Sequence, residues 1–136
     1  MPNSSKFNSL KFKMMNQLYR DEILEYSRNG RYTGAVARAS HRGTLENVLC
    51  GDAVSWTVRF NEATDTVEEA KFEVDGCALS AAGAAVVAQA VQGRTITELK
   101  RLNAAWLRDR LNINPGPARE KCVTLGLEAF HATFER

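Results

Sequence analysis

The chain has no Cys-x-x-Cys pair, no uninterrupted apolar run of membrane-spanning length and no marked excess of charge of either sign. Each absence excludes a class of protein. With 18 basic and 16 acidic residues, the net charge of +2 exerts little pull toward nucleic acid or an anionic membrane surface. The small-residue run from Ala78 to Val91 is interrupted by Ser80, Gly83 and Gln89, so it does not read as a membrane span. The opening residues, "MPNSSKFNSLKFKMMNQ", are polar and basic and lack the apolar centre of a secretory signal, so a cytoplasmic protein is expected. Three cysteines, an odd number, argue against a disulfide framework and leave thiols for metal or sulfur chemistry. Histidine is scarce too. His41 falls in a polar stretch expected to be a loop, and His131 lies roughly two and a half helical turns beyond Cys122. Neither is placed as the base of a free-standing cysteine enzyme.

What is present reads as one ordinary globular unit. The 136 residues are 44% apolar and 25% charged, enough to build a core without cross-links. Residues 1–13 are expected to form a flexible tail and 14–136 a single domain. From Met14 to Arg28, the positions Met15, Leu18, Tyr19, Ile23 and Tyr26 recur at helical spacing, and Asn29-Gly30 supplies a stop. Three strands are expected next. The first, over residues 34–38, is short and weakly patterned. The second, "AVSWTVRF", sets Val54, Trp56, Val58 and Phe60 on one face and Ser55, Thr57 and Arg59 on the other. After the polar turn "NEATDT", the segment "VEEAKFEVDG" puts Ala70, Phe72 and Val74 on one face, so the pair reads as an antiparallel hairpin with one buried side.

Beyond the hairpin the pattern is helical. A small-residue helix from Ala78 to Gln92 is stopped by Gly93, Thr95 to Glu98 forms a capping-box pattern, and Asn103 caps a short helix through Arg110. Pro115 and Pro117 precede a last helix striped by Val123, Leu127, Phe130 and Phe134. This order predicts an α+β domain: a small antiparallel three-stranded sheet with helices packed on one face.

The cysteines stand at 50, 77 and 122, separated by 27 and 45 residues, which is not the spacing of a zinc finger. Their local settings say more. Cys50 ends a loop at the entry to the first hairpin strand, and Cys77 follows the second and begins a helix. The two ends of a hairpin lie side by side, and a last helix packed across the sheet would bring Cys122 to the same edge. A helix start favours negative charge, which suits a thiolate at Cys77. Asp52, two residues beyond Cys50 across a glycine, can turn back and offer an oxygen. Three thiolates and one carboxylate make a tetrahedral set for zinc, and thiolates equally suit iron–sulfur clusters. The plainer reading stands beside it. A lone buried cysteine is usually a small apolar residue, and a lone aspartate before a strand is usually a turn residue. Composition and spacing leave both readings open.

Three blocks together resemble the IscU/SufU/NifU N-terminal family of iron–sulfur assembly proteins. They are "CGD" at 50–52, "AKFEVDGCALSAAGA" at 70–84 and "PAREKCVTLGLEAF" at 117–130, with a looser likeness in "LYRDEILEYSRNGRYTG". The resemblance implies that Cys50, Asp52, Cys77 and Cys122 ligate a metal or cluster, and that sulfur arrives from a cysteine desulfurase. Cys50 and Cys122 are the candidate sulfur acceptors. It further implies either zinc or a transient [2Fe–2S] cluster at the site, the cluster being delivered to recipient apo-proteins or a carrier; the small net charge gives no reason to expect nucleic acid or membrane as partners.

Two departures shape that expectation. Lys121 stands where the IscU branch has a histidine ligand, and with Arg119 it reads as a charge beside Cys122 that favours thiolate over thiol. "PAREKC" is closer to the SufU branch, while the short interval between Cys77 and Cys122 is closer to IscU. The segment "INPGPAREKC" lacks the Leu-Pro-Pro-Val-Lys motif presented to a dedicated Hsp70-type chaperone, so no dependence on that chaperone is implied. Two alternatives follow from the same resemblance: a zinc-dependent SufU-type sulfurtransferase or desulfurase activator without scaffolding, and a family member whose zinc is purely structural.

Overall fold

The computed structural model describes residue 25 and residues 30–49, 51–112 and 115–134. The expected tail, Cys50 and the helix over 14–28 lie outside these residues, except for Glu25, which is helical and exposed. Three antiparallel strands, β1 (His41–Asn47), β2 (Asp52–Asn61) and β3 (Thr66–Asp75), form a sheet in the order β1-β2-β3. Four helices follow: α1 (Ala78–Val91), α2 (Ile96–Lys100), α3 (Ala104–Leu111) and α4 (Pro117–Ala132). None of the described helices is long and apolar enough to cross a membrane.

The hairpin is the one its alternation predicts. Val54 pairs with Val74, Trp56 with Phe72 and Val58 with Ala70, and these inward residues meet the helices. A register shift between Arg59 and Phe60 lets Val67 and Ala70, three positions apart, both be buried. The period-two alternation also runs backwards. Counting back from Trp56 through Val54, the next inward position is Asp52, which is only 4% exposed. A carboxylate is thus carried into the helix-facing layer by strand geometry alone.

The third strand is not where the sequence pattern put it. Residues 34–38 form no strand, and the edge strand is β1, which pairs His41 with Val58 through Asn47 with Asp52. The 32–36 segment instead bridges the opposite edge: Gly34 N–H donates to the Phe72 carbonyl and Phe72 N–H to that of Tyr32. Val36 N–H then donates to Thr57 Oγ1 across the face the helices leave open, and Arg38, with φ of 58°, ends the extended run. The alternation in "HRGTLEN" was invisible to hydropathy because its inward positions include His41, Gly43 and Asn47. Gly43 is small because Thr133 packs on it, and a Cβ there would lie 2.9 Å from Thr133 Cγ2. His41 therefore sits on a strand rather than in a polar loop, its ring 4.9 Å from that of Phe134 and 5.7 Å from that of Phe60.

The helices form as their caps predict. Asn103 accepts from Trp106 N–H at 2.9 Å, and Thr95 Oγ1 accepts from Glu98 N–H at 3.3 Å. Gly116 precedes Pro117 at the start of α4. Small residues let α1 and α4 approach closely. A Cβ at Gly83 would run into the Val123 carbonyl oxygen, and one at Gly126 would lie 2.8 Å from Ala84 Cα. Gly83→Ala should therefore lower stability by about 1–3 kcal/mol through overpacking, despite alanine's better helix propensity. Urea denaturation checks the sign, because an alanine that merely improved the helix would stabilise. That close approach matters for the site, since Val123 is the residue after Cys122.

Candidate metal centre

Three elements converge at one end of the sheet. Asp52 opens β2, Cys77 is the N-cap of α1, and Cys122 lies in the second turn of α4. One carboxylate oxygen of Asp52, Cys77 Sγ and Cys122 Sγ all lie within 4.8 Å of one another. Among the described residues this is the group of histidine, cysteine and acidic side chains placed to hold a metal ion. Cys50, the fourth ligand the resemblance implies, lies outside the described residues, and by sequence it belongs to the connection between β1 and β2.

The reason for the convergence can be read locally. Antiparallel pairing of Ala53 with Asp75 puts the start of β2 beside the end of β3. The chain then turns through Gly76 into α1, directly over Asp52. A Cβ at Gly76 would lie 2.5 Å from Asp52 Oδ1, so glycine is needed for the carboxylate to fit there. Gly76→Ala should displace Asp52 and weaken metal binding while leaving the hairpin folded, an outcome that metal titration and far-UV circular dichroism read separately.

The electrostatics are those of a helix start. The side chain of Cys77 makes no capping hydrogen bond to the first turn of α1, and that turn carries no acidic residue. Asp52 supplies the negative charge from the sheet instead. Its Oδ1 accepts from Cys77 N–H at 3.3 Å, and its Oδ2 accepts from Cys77 Sγ at 3.3 Å and from Ser80 Oγ at 2.5 Å. The hydroxyl of Ser80 is also 3.6 Å from Cys77 Sγ. This donor set, two sulfurs and a carboxylate oxygen beside a helix N-terminus, has the chemistry of a zinc or iron–sulfur ligand group.

The two described thiols differ in access. Cys77 is exposed, whereas Cys122 is 7% exposed. Arg119 and Lys121, expected to act as charges on Cys122, are both exposed on α4, and neither hydrogen-bonds the site among the described residues. Glu120 between them pairs with Arg108 of α3. Sequence reading did not single out three residues at or near the site. Ser80 is fully buried, and its one signal was its place one turn after Cys77. Val48 and Leu49, immediately before Cys50, are large apolar residues left 87% and 89% exposed.

Comparison with known proteins adds an independent line. Residues 18–136 match the family model described as the NifU-like N terminal domain. The chain is 28% identical over 117 residues to the iron–sulfur cluster assembly scaffold protein IscU of Aquifex aeolicus, covering 86% of this chain and 74% of that one. It is 29% identical over 132 residues to the zinc-dependent sulfurtransferase SufU of Bacillus subtilis, covering 85% and 88%. Among solved structures, the N-terminal part of a nitrogen-fixing NifU-like protein from Brucella abortus superposes with a TM-score of 0.70 at 26% identity, over 88% of this chain and 94% of that one.

Proposed function

The chain belongs to the family of NifU-like N terminal domains, and from that premise we propose that it works in iron–sulfur cluster assembly. It accepts sulfur from a cysteine desulfurase and holds zinc or a nascent [2Fe–2S] cluster at Cys50, Asp52, Cys77 and Cys122. The observation that carries this reading is the convergence of Asp52, Cys77 and Cys122 within 4.8 Å from three separate elements. The two relatives named a scaffold and a zinc-dependent sulfurtransferase support its two halves.

Zinc, when bound, keeps cysteine ligands as thiolates. This chain's own residues account for the rest. In the sulfur-accepting step, a cysteine thiolate attacks the outer sulfur of the desulfurase persulfide. A new S–S bond forms on the acceptor, the old S–S bond breaks, and the desulfurase cysteine leaves as a thiolate. Burial screens Cys122 from a partner's persulfide, whereas Cys50 stands between the exposed Leu49 and Gly51. Cys50 is therefore the acceptor of the two candidates. Releasing the persulfide sulfur as sulfide would need an external two-electron reductant. Asp52 would be the one oxygen ligand in a set of sulfurs, and so the one most readily displaced. The finished cluster passes to recipient apo-proteins or a carrier. A cytoplasmic setting, where thiols stay reduced, suits this chemistry.

Metal analysis after anaerobic purification, followed by reconstitution with a cysteine desulfurase, cysteine and ferrous iron, tests the reading. A labile cluster absorbing in the visible supports the scaffold. Stoichiometric zinc with desulfurase stimulation and no cluster absorption supports the SufU-type sulfurtransferase instead. Zinc whose removal lowers the thermal midpoint while desulfurase turnover stays unchanged would mark a structural site. Neither metal, cluster nor persulfide, with Asp52→Ala silent, would overturn all of these.

A further inference from the structure

We propose that Ser80 is the positioning residue of the Asp52 ligand, an assignment that rests on the metal-site reading above. Serine within a helix ordinarily turns its hydroxyl to solvent or back to the carbonyl four residues earlier. Ser80 does neither. It is fully buried in α1, and its hydroxyl donates out of its own helix to Asp52 Oδ2 on the sheet at 2.5 Å. That distance is characteristic of a charge-assisted O–H···O⁻ bond.

The placement has a geometric logic. Ser80 lies one turn after Cys77, so its hydroxyl and the Cys77 sulfur stand on the same side of the helix start, 3.6 Å apart. The carboxylate of Asp52 terminates a side chain whose last torsion has a broad, two-fold minimum. The Cys77 N–H, at 3.3 Å, is a long bond on one of its oxygens. Ser80 grips the other at 2.5 Å. Beside the Cys77 thiol, which also donates to Oδ2 at 3.3 Å, these two donors fix the plane of the carboxylate and so its direction toward the two sulfurs. Partners that orient a metal ligand in this way typically contribute ten- to a hundredfold in metal affinity. The buried hydroxyl is also costly without such a partner, since its neighbours on α1 are alanines and other small residues.

The test is zinc affinity of the full chain, by competition with a chromogenic chelator, together with the absorption spectrum of the cobalt-substituted protein. Ser80→Ala should weaken zinc binding by about ten- to a hundredfold, and Ser80→Thr, which keeps the hydroxyl, should restore it. Ser80→Ala combined with Asp52→Ala should bind no more weakly than Asp52→Ala alone, because Ser80 acts through that carboxylate. In the cobalt protein, Ser80→Ala should shift the d–d bands while the thiolate charge-transfer bands keep their intensity. A merely structural serine would lower the thermal midpoint and leave zinc affinity and cobalt bands unmoved, and that result overturns the assignment. So does a Ser80→Ala loss that adds in full to that of Asp52→Ala. If Ser80→Ala does not fold, proton NMR of the wild type decides: a slowly exchanging Ser80 hydroxyl proton retained in the zinc-loaded protein supports the assignment, and its absence overturns it. Wild-type protein that takes up neither zinc nor cobalt overturns the metal-site reading itself, whereas uptake unaffected by Ser80→Ala overturns this assignment alone.

Discussion

Cys77→Ser is expected to move metal binding and stability in opposite directions, weakening zinc binding by roughly a hundredfold while making the metal-free protein more stable. Structural zinc sites bind with apparent free energies on the order of 10–16 kcal/mol spread over four ligands, so one thiolate is worth about 3 kcal/mol. That sets the affinity loss. The stability gain comes from the helix. Cys77 is the N-cap of α1, with extended backbone angles of −78° and 169°, yet its side chain makes no capping bond. Serine is among the preferred residues at such a position, and a good cap contributes about 0.5–1 kcal/mol. On the proposed metal-site reading, the native cysteine gives up helix stability for the sake of the site, as functional positions often do. Zinc competition and urea denaturation of chelator-treated protein measure the two effects, with Cys77→Ala as the control that loses zinc and gains no cap. Zinc affinity within a fewfold of wild type would remove Cys77 from the ligand set.

Trp56→Ala is expected to cost about 4–5 kcal/mol, a large share of the roughly 5–15 kcal/mol by which a native domain is stable. The indole is 1% exposed, with its ring 5.3 Å from that of Phe72 and 5.1 Å from that of Phe130. Its Nε1–H donates to the Gly126 carbonyl at 2.9 Å. Removing it leaves a large cavity and a buried carbonyl without that donor. The consequence reaches the metal centre by register. Trp56 shares the inward face of β2 with Asp52, and Gly126 follows Cys122 by one helical turn. The indole thus ties the strand that carries Asp52 to the helix that carries Cys122. Trp56→Phe, which keeps most of the packing and loses the hydrogen bond, should cost about 1–3 kcal/mol and loosen zinc binding measurably. Thermal and chemical denaturation check the stability, and the chelator assay checks the site. An unchanged zinc affinity in a destabilised Trp56→Phe protein would show that the strand and helix hold register without this bond.

Legibility of the fold depended on whether a segment declared itself locally. The hairpin did, because Val54, Trp56 and Val58 alternate against Ala70, Phe72 and Val74. So did α2 and α3, whose caps are single residues, Thr95 and Asn103, with short-range partners. β1 did not. Its inward side chains are filled by a glycine that accommodates Thr133 and a histidine that stacks on Phe134, both in the chain's last residues. No property of "HRGTLEN" by itself announces those distant neighbours. The apolar hint at 34–38 was real in that Val36 is buried, but it is buried by crossing the sheet rather than by joining it.

The same division runs through the site. Residue type and local setting made Asp52, Cys77 and Cys122 candidates, because a thiol at a helix start and a carboxylate at a strand start are local facts. The plainer reading stayed open until three blocks together resembled one family. Packing decided how they meet. The close crossing of α1 and α4 at Gly83 and Gly126 brings Cys122 to the start of α1, and the same packing buries Cys122 while leaving Cys77 open. Packing also turned Ser80 from one small residue in a small-residue helix into the hydroxyl that holds Asp52. By itself, then, the sequence determined which candidate ligands this protein carries, since residue type is written position by position. Only the tertiary structure decided which ligand is gripped, which is accessible and what orients them, because those depend on contacts between segments far apart along the chain.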